Sequence, residues 1–141
     1  MFHRPENELQ VRLVAPEKEA TELHAVEVIV PGGQGVFSVL PNHTNVLSTL
    51  SPGVVVVYDP DGSEQFFAVS GGFVEVNGNR VVVLADAVEP GEKIDIPRAE
   101  AARDRAEKRL GKRPDEVDML RAEAALHRAV ARLSANRREG Y

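Results

Sequence analysis

The sequence has no cysteine and no tryptophan, and only two tyrosines, five phenylalanines and four histidines among 141 residues. Without cysteine there is no disulfide framework and no thiolate metal site, and a reducing compartment is compatible with that. So few aromatics leave little for stacking nucleic-acid bases. A formal net charge of -5 argues against a general nucleic-acid binder, which needs clustered Lys and Arg to neutralise phosphates. No stretch approaches the roughly 20 apolar residues of a bilayer-spanning helix. The segment from Met1 to Glu6 lacks the apolar core of a secretory signal, and it is too short and acidic for a transit peptide. The expectation is a cytosolic chain whose membrane association, if any, runs through other proteins.

Catalytic constellations are scarce too. Gly32-Gly33-Gln34-Gly35 is glycine-rich, but no Lys-Ser/Thr follows and it leads into a strand-like run, so it reads as a turn and not a phosphate loop. His3, His24, His43 and His127 lie far apart with no metal-ligand spacing and read as ordinary surface or half-buried imidazoles. Ser38, Ser48, Ser51, Ser63 and Ser70 sit in no nucleophile elbow. Asp59, Asp61 and Glu64 form a turn with too few oxygen ligands for calcium. No base, metal site or phosphate loop emerges, and the expectation is a protein that is not an enzyme.

What is present falls into two textures that meet near residue 92. In the first, short Val- and Phe-rich runs alternate with turn residues. Val11, Leu13 and Ala15 alternate with polar residues up to Pro16, and Val26, Val28 and Val30 up to Pro31-Gly32-Gly33. Val54 to Tyr58 is continuously apolar. Phe66 to Val69 stops at Ser70-Gly71-Gly72, and Phe73, Val74 and Val76 stop at the hairpin turn Asn77-Gly78-Asn79. Val81 to Ala85 closes the series. β-branched runs between such turns predict an antiparallel β-sandwich over residues 1–92.

From residue 93 to 141 the period becomes helical. Asp95 can cap a helix starting at Ile96, where Pro97 is tolerated in the first turn. Ala99, Ala102, Ala106 and Leu110 share one face, and small residues there let a second helix come close. Gly111 ends this helix, Pro114-Asp115 permits a restart, and a second helix runs from about Pro114 to Asn136. The short connection predicts an antiparallel hairpin, and with the sandwich an α+β chain. The second helix carries one apolar stripe through Met119, Ala122, Leu126, Val130 and Leu133, and another through Val117, Leu120, Ala124 and Ala131. Two stripes call for two packing partners, together or at different times. Arg121, Arg128 and Arg132 run between them, and Arg98, Arg105 and Arg109 line a flank of the first helix. Two readings of these arginines stand. They are a solvated face paired locally with Asp104, Glu107 and Glu123, or they converge on an anion.

Several segments, in order and with the right spacing, resemble the epsilon subunit of bacterial F-type ATP synthases. They are Leu40-Pro41-Asn42-His43-Thr44, then Val69-Ser70-Gly71-Gly72-Phe73-Val74-Glu75-Val76, then Val83-Leu84-Ala85-Asp86 with Ala87. Ile94-Asp95-Ile96-Pro97-Arg98-Ala99 resembles the nucleotide-binding motif of ATP-binding epsilon subunits. The resemblance implies a regulatory ATP site built from Glu89, Asp95, Arg98, Ala99, Arg105, Arg128 and Arg132, with Glu89 and Asp95 facing the base or ordering the site, the Ala99 backbone lining it and the arginines holding phosphates. No residue seen requires magnesium, and no catalytic cofactor is implied. It further implies a non-catalytic central-stalk subunit of a proton-translocating synthase, peripheral on the cytoplasmic side of the inner or plasma membrane. The gamma subunit, the c-ring and the catalytic alpha and beta subunits are its partners by the same resemblance. The hairpin would inhibit ATP hydrolysis when extended and bind ATP when compact. A free-standing nucleotide-sensing or adaptor module of the same fold is the alternative. The sequence departs from the family at Asn45-Val46-Leu47, where relatives usually have Pro-Leu-Leu; at Pro97, which removes a backbone donor; and in the tail Arg137 to Tyr141.

Overall fold

The computed structural model describes residues 7–140; Met1 to Glu6, His3 among them, and Tyr141 lie outside the described residues. Eight strands come first: β1 (Leu9–Val14), β2 (Thr21–Ala25), β3 (Glu27–Gly32), β4 (Gly35–Val39), β5 (Val46–Thr49), β6 (Gly53–Tyr58), β7 (Glu64–Asn77) and β8 (Arg80–Pro90). A 3-10 turn over Gly91–Lys93 leads to helix α1 (Ile96–Gly111) and helix α2 (Glu116–Asn136).

The strands form one hydrogen-bonded sheet in the order β2-β1-β8-β7-β6-β3-β4, with β5 added beside β7. The sheet closes over itself because β7 serves both layers. Its first half pairs with β6, from Tyr58↔Glu64 to Gly53↔Val69, and its second half pairs with β5, from Thr49↔Phe73 to Val46↔Val76. Ser70-Gly71-Gly72, expected to end a strand, is instead a bend within one. Gly71 and Gly72 take positive φ values of 47° and 104°, and a Cβ on Gly72 would collide with the backbone of Leu84 and Ala85 on β8. Only glycine allows the strand to turn that corner while keeping its partner. A second difference from expectation is the β1–β8 pair, which is parallel, from Gln10↔Arg80 to Val14↔Leu84. β2, β4 and β5 are short, mostly half-exposed strands whose sequences carry no strong alternation.

The inner core lies between the two layers and includes Leu9, Val11, Leu13, Val55, Phe67 and Val74. A second cluster lies on the outer face of β3, β6 and β7. There Ile29, Val54, Val56, Phe66 and Ala68 pack with Ile94, Ala99, Leu133 and Ala135. This explains the unbroken run Val54 to Val57: its odd and even residues face two different cores, so neither face can be polar.

α1 starts where Asp95 predicts, with the Arg98 amide donating to Asp95 Oδ1 at 3.2 Å. α2 is capped in the same way by Asp115, which accepts from the Asp118 amide at 2.8 Å. α1 rests on α2, and α2 rests on β6 and β7. The buried residues of α1 are Ala99 and Ala106, and those of α2 are Ala122, Ala129, Ala131, Leu133 and Ala135. The two-stripe expectation is corrected here. Neither stripe is buried as a unit: Ala122 and Leu133 of the first and Ala131 of the second are buried, together with Ala129 and Ala135, which belong to neither. Val117, Met119, Leu120 and Val130 remain exposed.

Candidate regulatory site between sandwich and hairpin

Glu89 lies near the end of β8, opposite Ala68 of β7, and faces the flank of α2. Arg132 donates to it from Nε (2.9 Å), and its Nη2 lies 2.8 Å from the same Oε1. The side chains keep 35% and 29% of their surface exposed, so the pair is shielded but not dry. Arg128, one turn earlier on the same flank, joins Glu89 and Arg132 around a small depression floored by Ser70 and Ala87. Arg128 has no carboxylate partner among the described residues. Two guanidiniums beside a single carboxylate leave a net positive site open to solvent, which suits an anion.

The depression holds only 20 Å³, about the space of one water. A much wider concavity of 1020 Å³ lies on the sandwich, but Glu8, Glu22, Asp59 and Asp61 line it with His24 and Arg80, and no hairpin residue reaches it. Acids dominate that wall, so it is a poor host for phosphate.

The other expected site residues are placed less closely. Arg98 and Arg105 are exposed on α1 and do not line the depression. Asp95 is committed to capping α1. The Ala99 side chain is 1% exposed in the outer-face core, and its amide donates to the Asp95 carbonyl at 3.0 Å, so that amide is already committed within the helix. Ser70 and Ala87 were missed by sequence reasoning. The Ser70-Gly71-Gly72 signal was legible, but its place beside Glu89 follows only from the β7–β8 register. No cluster of metal-ligating side chains occurs among the described residues.

The family model for the ATP synthase delta/epsilon chain beta-sandwich domain matches residues 8–91, and the model for the long alpha-helix domain of the same chain matches residues 92–136. The chain belongs to the ATP synthase delta/epsilon family. The ATP synthase epsilon chain of Desulfitobacterium hafniense (strain Y51) is 49% identical over 103 residues, covering 73% of this chain and 77% of that one. The Moorella thermoacetica epsilon chain is 46% identical over 106 residues, covering 75% and 79%. That of Myxococcus xanthus is 44% identical over 102 residues, covering 72% and 74%. A chain in the Euglena gracilis mitochondrial ATP synthase (OSCP/F1/c-ring) shares the fold, with a TM-score of 0.79 and 23% identity over 92% of this chain and 82% of that chain. Membership makes this an epsilon subunit of the F-type synthase central stalk, a non-catalytic part of that complex. Among the described residues, no helix is long and apolar enough to cross a membrane.

Proposed function

We propose that the hairpin is an ATP-controlled brake on rotation. The observation that carries this reading is the Arg132–Glu89 pair with Arg128 lining the same depression, an arrangement between α2 and the sandwich that exists only while α2 lies folded back. An adenosine polyphosphate bound there bridges the two arginines. It displaces the Glu89 carboxylate from Arg132 and pushes the side chains outward, since the depression is too small as it stands. Arg98 and Arg105 of α1 swing in from solvent to complete the phosphate cradle. A ligand that needs the folded-back arrangement favours it by its differential affinity for the two states. When nucleotide leaves, α2 detaches, extends along the stalk and carries its arginines toward acidic surfaces of the catalytic subunits.

Docking to the rotor uses the opposite sheet layer. Leu47 (71% exposed), Phe73 (53%) and Leu84 (48%) stand on β5, β7 and β8, and Phe73 pairs directly with Leu84. An apolar sheet face of this kind suits a permanent subunit contact, here with the gamma stalk. The loop carrying His43 is braced by the Asn42 amide donating to Asn79 Oδ1 (2.7 Å) and the Gly78 amide donating to Asn45 Oδ1 (3.0 Å), a rigid edge fit to meet the c-ring.

Isothermal calorimetry of the isolated chain tests the site. Arg128→Ala combined with Arg132→Ala should abolish ATP binding while leaving the circular-dichroism spectrum folded. Unchanged affinity refutes it.

A further inference from the structure

The family match stops at residue 136, yet the chain continues in an ordered path. α2 ends with Arg138 in a left-handed conformation (φ 58°), the Arg138 amide donating to the Ala135 carbonyl (3.1 Å) and the Glu139 amide to the Ser134 carbonyl (2.8 Å). This terminator turns the tail back onto the sandwich instead of letting it run on. Asn136 Nδ2 then donates to the Gly91 carbonyl at 3.0 Å, and Arg138 Nη2 donates to the Glu64 carbonyl at 3.1 Å. The Arg138 guanidinium sits 5.3 Å from the Phe66 ring centroid. Gly140 follows, against Val56.

Two of these contacts, Arg138 over Phe66 and Gly140 beside Val56, meet a single row of the sheet. Val56 and Phe66 are register partners on the outer face of β6 and β7, and Ile29 extends the row on β3. Leu133 and Ala135 pack in the same cluster, and Arg138 and Gly140 approach Phe66 and Val56 beside it. The fit depends on Gly91, where a Cβ would collide with the Ala135 backbone, so the end of α2 sits directly on the 3-10 turn. A cation over an aromatic face and hydrogen bonds to two carbonyls hold weakly one at a time. All of them break together when the hairpin leaves, and none touches Arg128, Arg132 or Glu89.

We propose that the tail from Ala135 to Gly140 is a latch that fastens the hairpin in its folded-back state independently of nucleotide. It sets how readily the hairpin opens, and so how much ATP is needed to keep it closed. The proposal rests on the two-state reading of the hairpin.

Hydrogen exchange on the full chain, without ATP, tests it. Asn136→Ala combined with Arg138→Ala should speed exchange of the α2 amides by about tenfold, with the inner strands β1 and β8 unchanged. Arg138→Lys on the wild-type background, which keeps a cation over Phe66, should stay closer to wild type than Arg138→Ala. Gly91→Ala, whose Cβ would collide with the Ala135 backbone, should open the same helix while leaving the tail's own sequence intact. If α2 opens separately from the sandwich at the same rate in wild type and double variant, the latch is wrong and the two-state hairpin stands. If α2 exchanges only through global unfolding in every variant, both ideas fall.

Discussion

The sandwich and the hairpin are held by different chemistry. Inside the sandwich, branched and aromatic side chains such as Val55, Val57, Phe67 and Val83 meet from two layers and are at most 4% exposed. The buried residues that the two helices themselves contribute are nearly all alanine, with Leu133 as the one large anchor of α2. An alanine side chain brings backbones close but removes little apolar surface from water, and stabilisation follows the area removed. The hairpin is therefore well fitted and weakly held, while the sandwich is fitted and strongly held. That division suits the proposed brake, in which one part keeps its place while the other changes position.

The sharpest way to break the comparison is to injure each part and ask whether the other notices. Phe67→Ala opens a cavity in the inner core and should cost about 3–5 kcal/mol. Thermal melting should show the whole chain losing cooperative structure at lower temperature; a loss confined to helix signal would contradict the ranking. Leu133→Ala should cost about 2–3 kcal/mol, the low end for a buried leucine because a released hairpin leaves no cavity behind. The expected readout is separate, earlier loss of helical ellipticity with the sandwich melt unmoved; a joint shift of both would mean that the two parts unfold as one unit. The smallest effect concerns a sandwich turn. The Ser63 hydroxyl and then the Ser63 amide (2.8 Å) donate to Asp61 and hold its carboxyl below its ordinary value of 3.8. A depressed carboxylate stabilises the fold above its unfolded value and loses that contribution as pH falls through the folded one. Acid titration below pH 3.8 should thus loosen residues 59–63, seen in the Ser63 amide resonance, before the hairpin responds. An Asp61 titration midpoint at or above the ordinary value would remove the basis for this.

Much of the architecture was readable residue by residue. Asp95, Pro97 and Gly111 marked α1, and Asn77-Gly78-Asn79 marked the β7–β8 hairpin, because caps and turns are decided by local backbone chemistry. β2, β4 and β5 were not readable, since each is short and is held by neighbours more than by its own pattern. At the site, Arg128 and Arg132 could be paired from helical spacing alone. The contact of Arg132 with Glu89 was not set by local pattern, because it joins residues 43 positions apart.

By itself the sequence determined where strands give way to helices, which residues cap them, and that both helices present small faces, all consequences of dihedral preference and period. Tertiary structure decided the rest: that Ser70-Gly71-Gly72 folds one strand through two layers, that β1 runs parallel to β8, and that Arg138 and Gly140 come back to Phe66 and Val56. Those outcomes depend on which distant surfaces compete to be buried together, and no local stretch of chain carries that information.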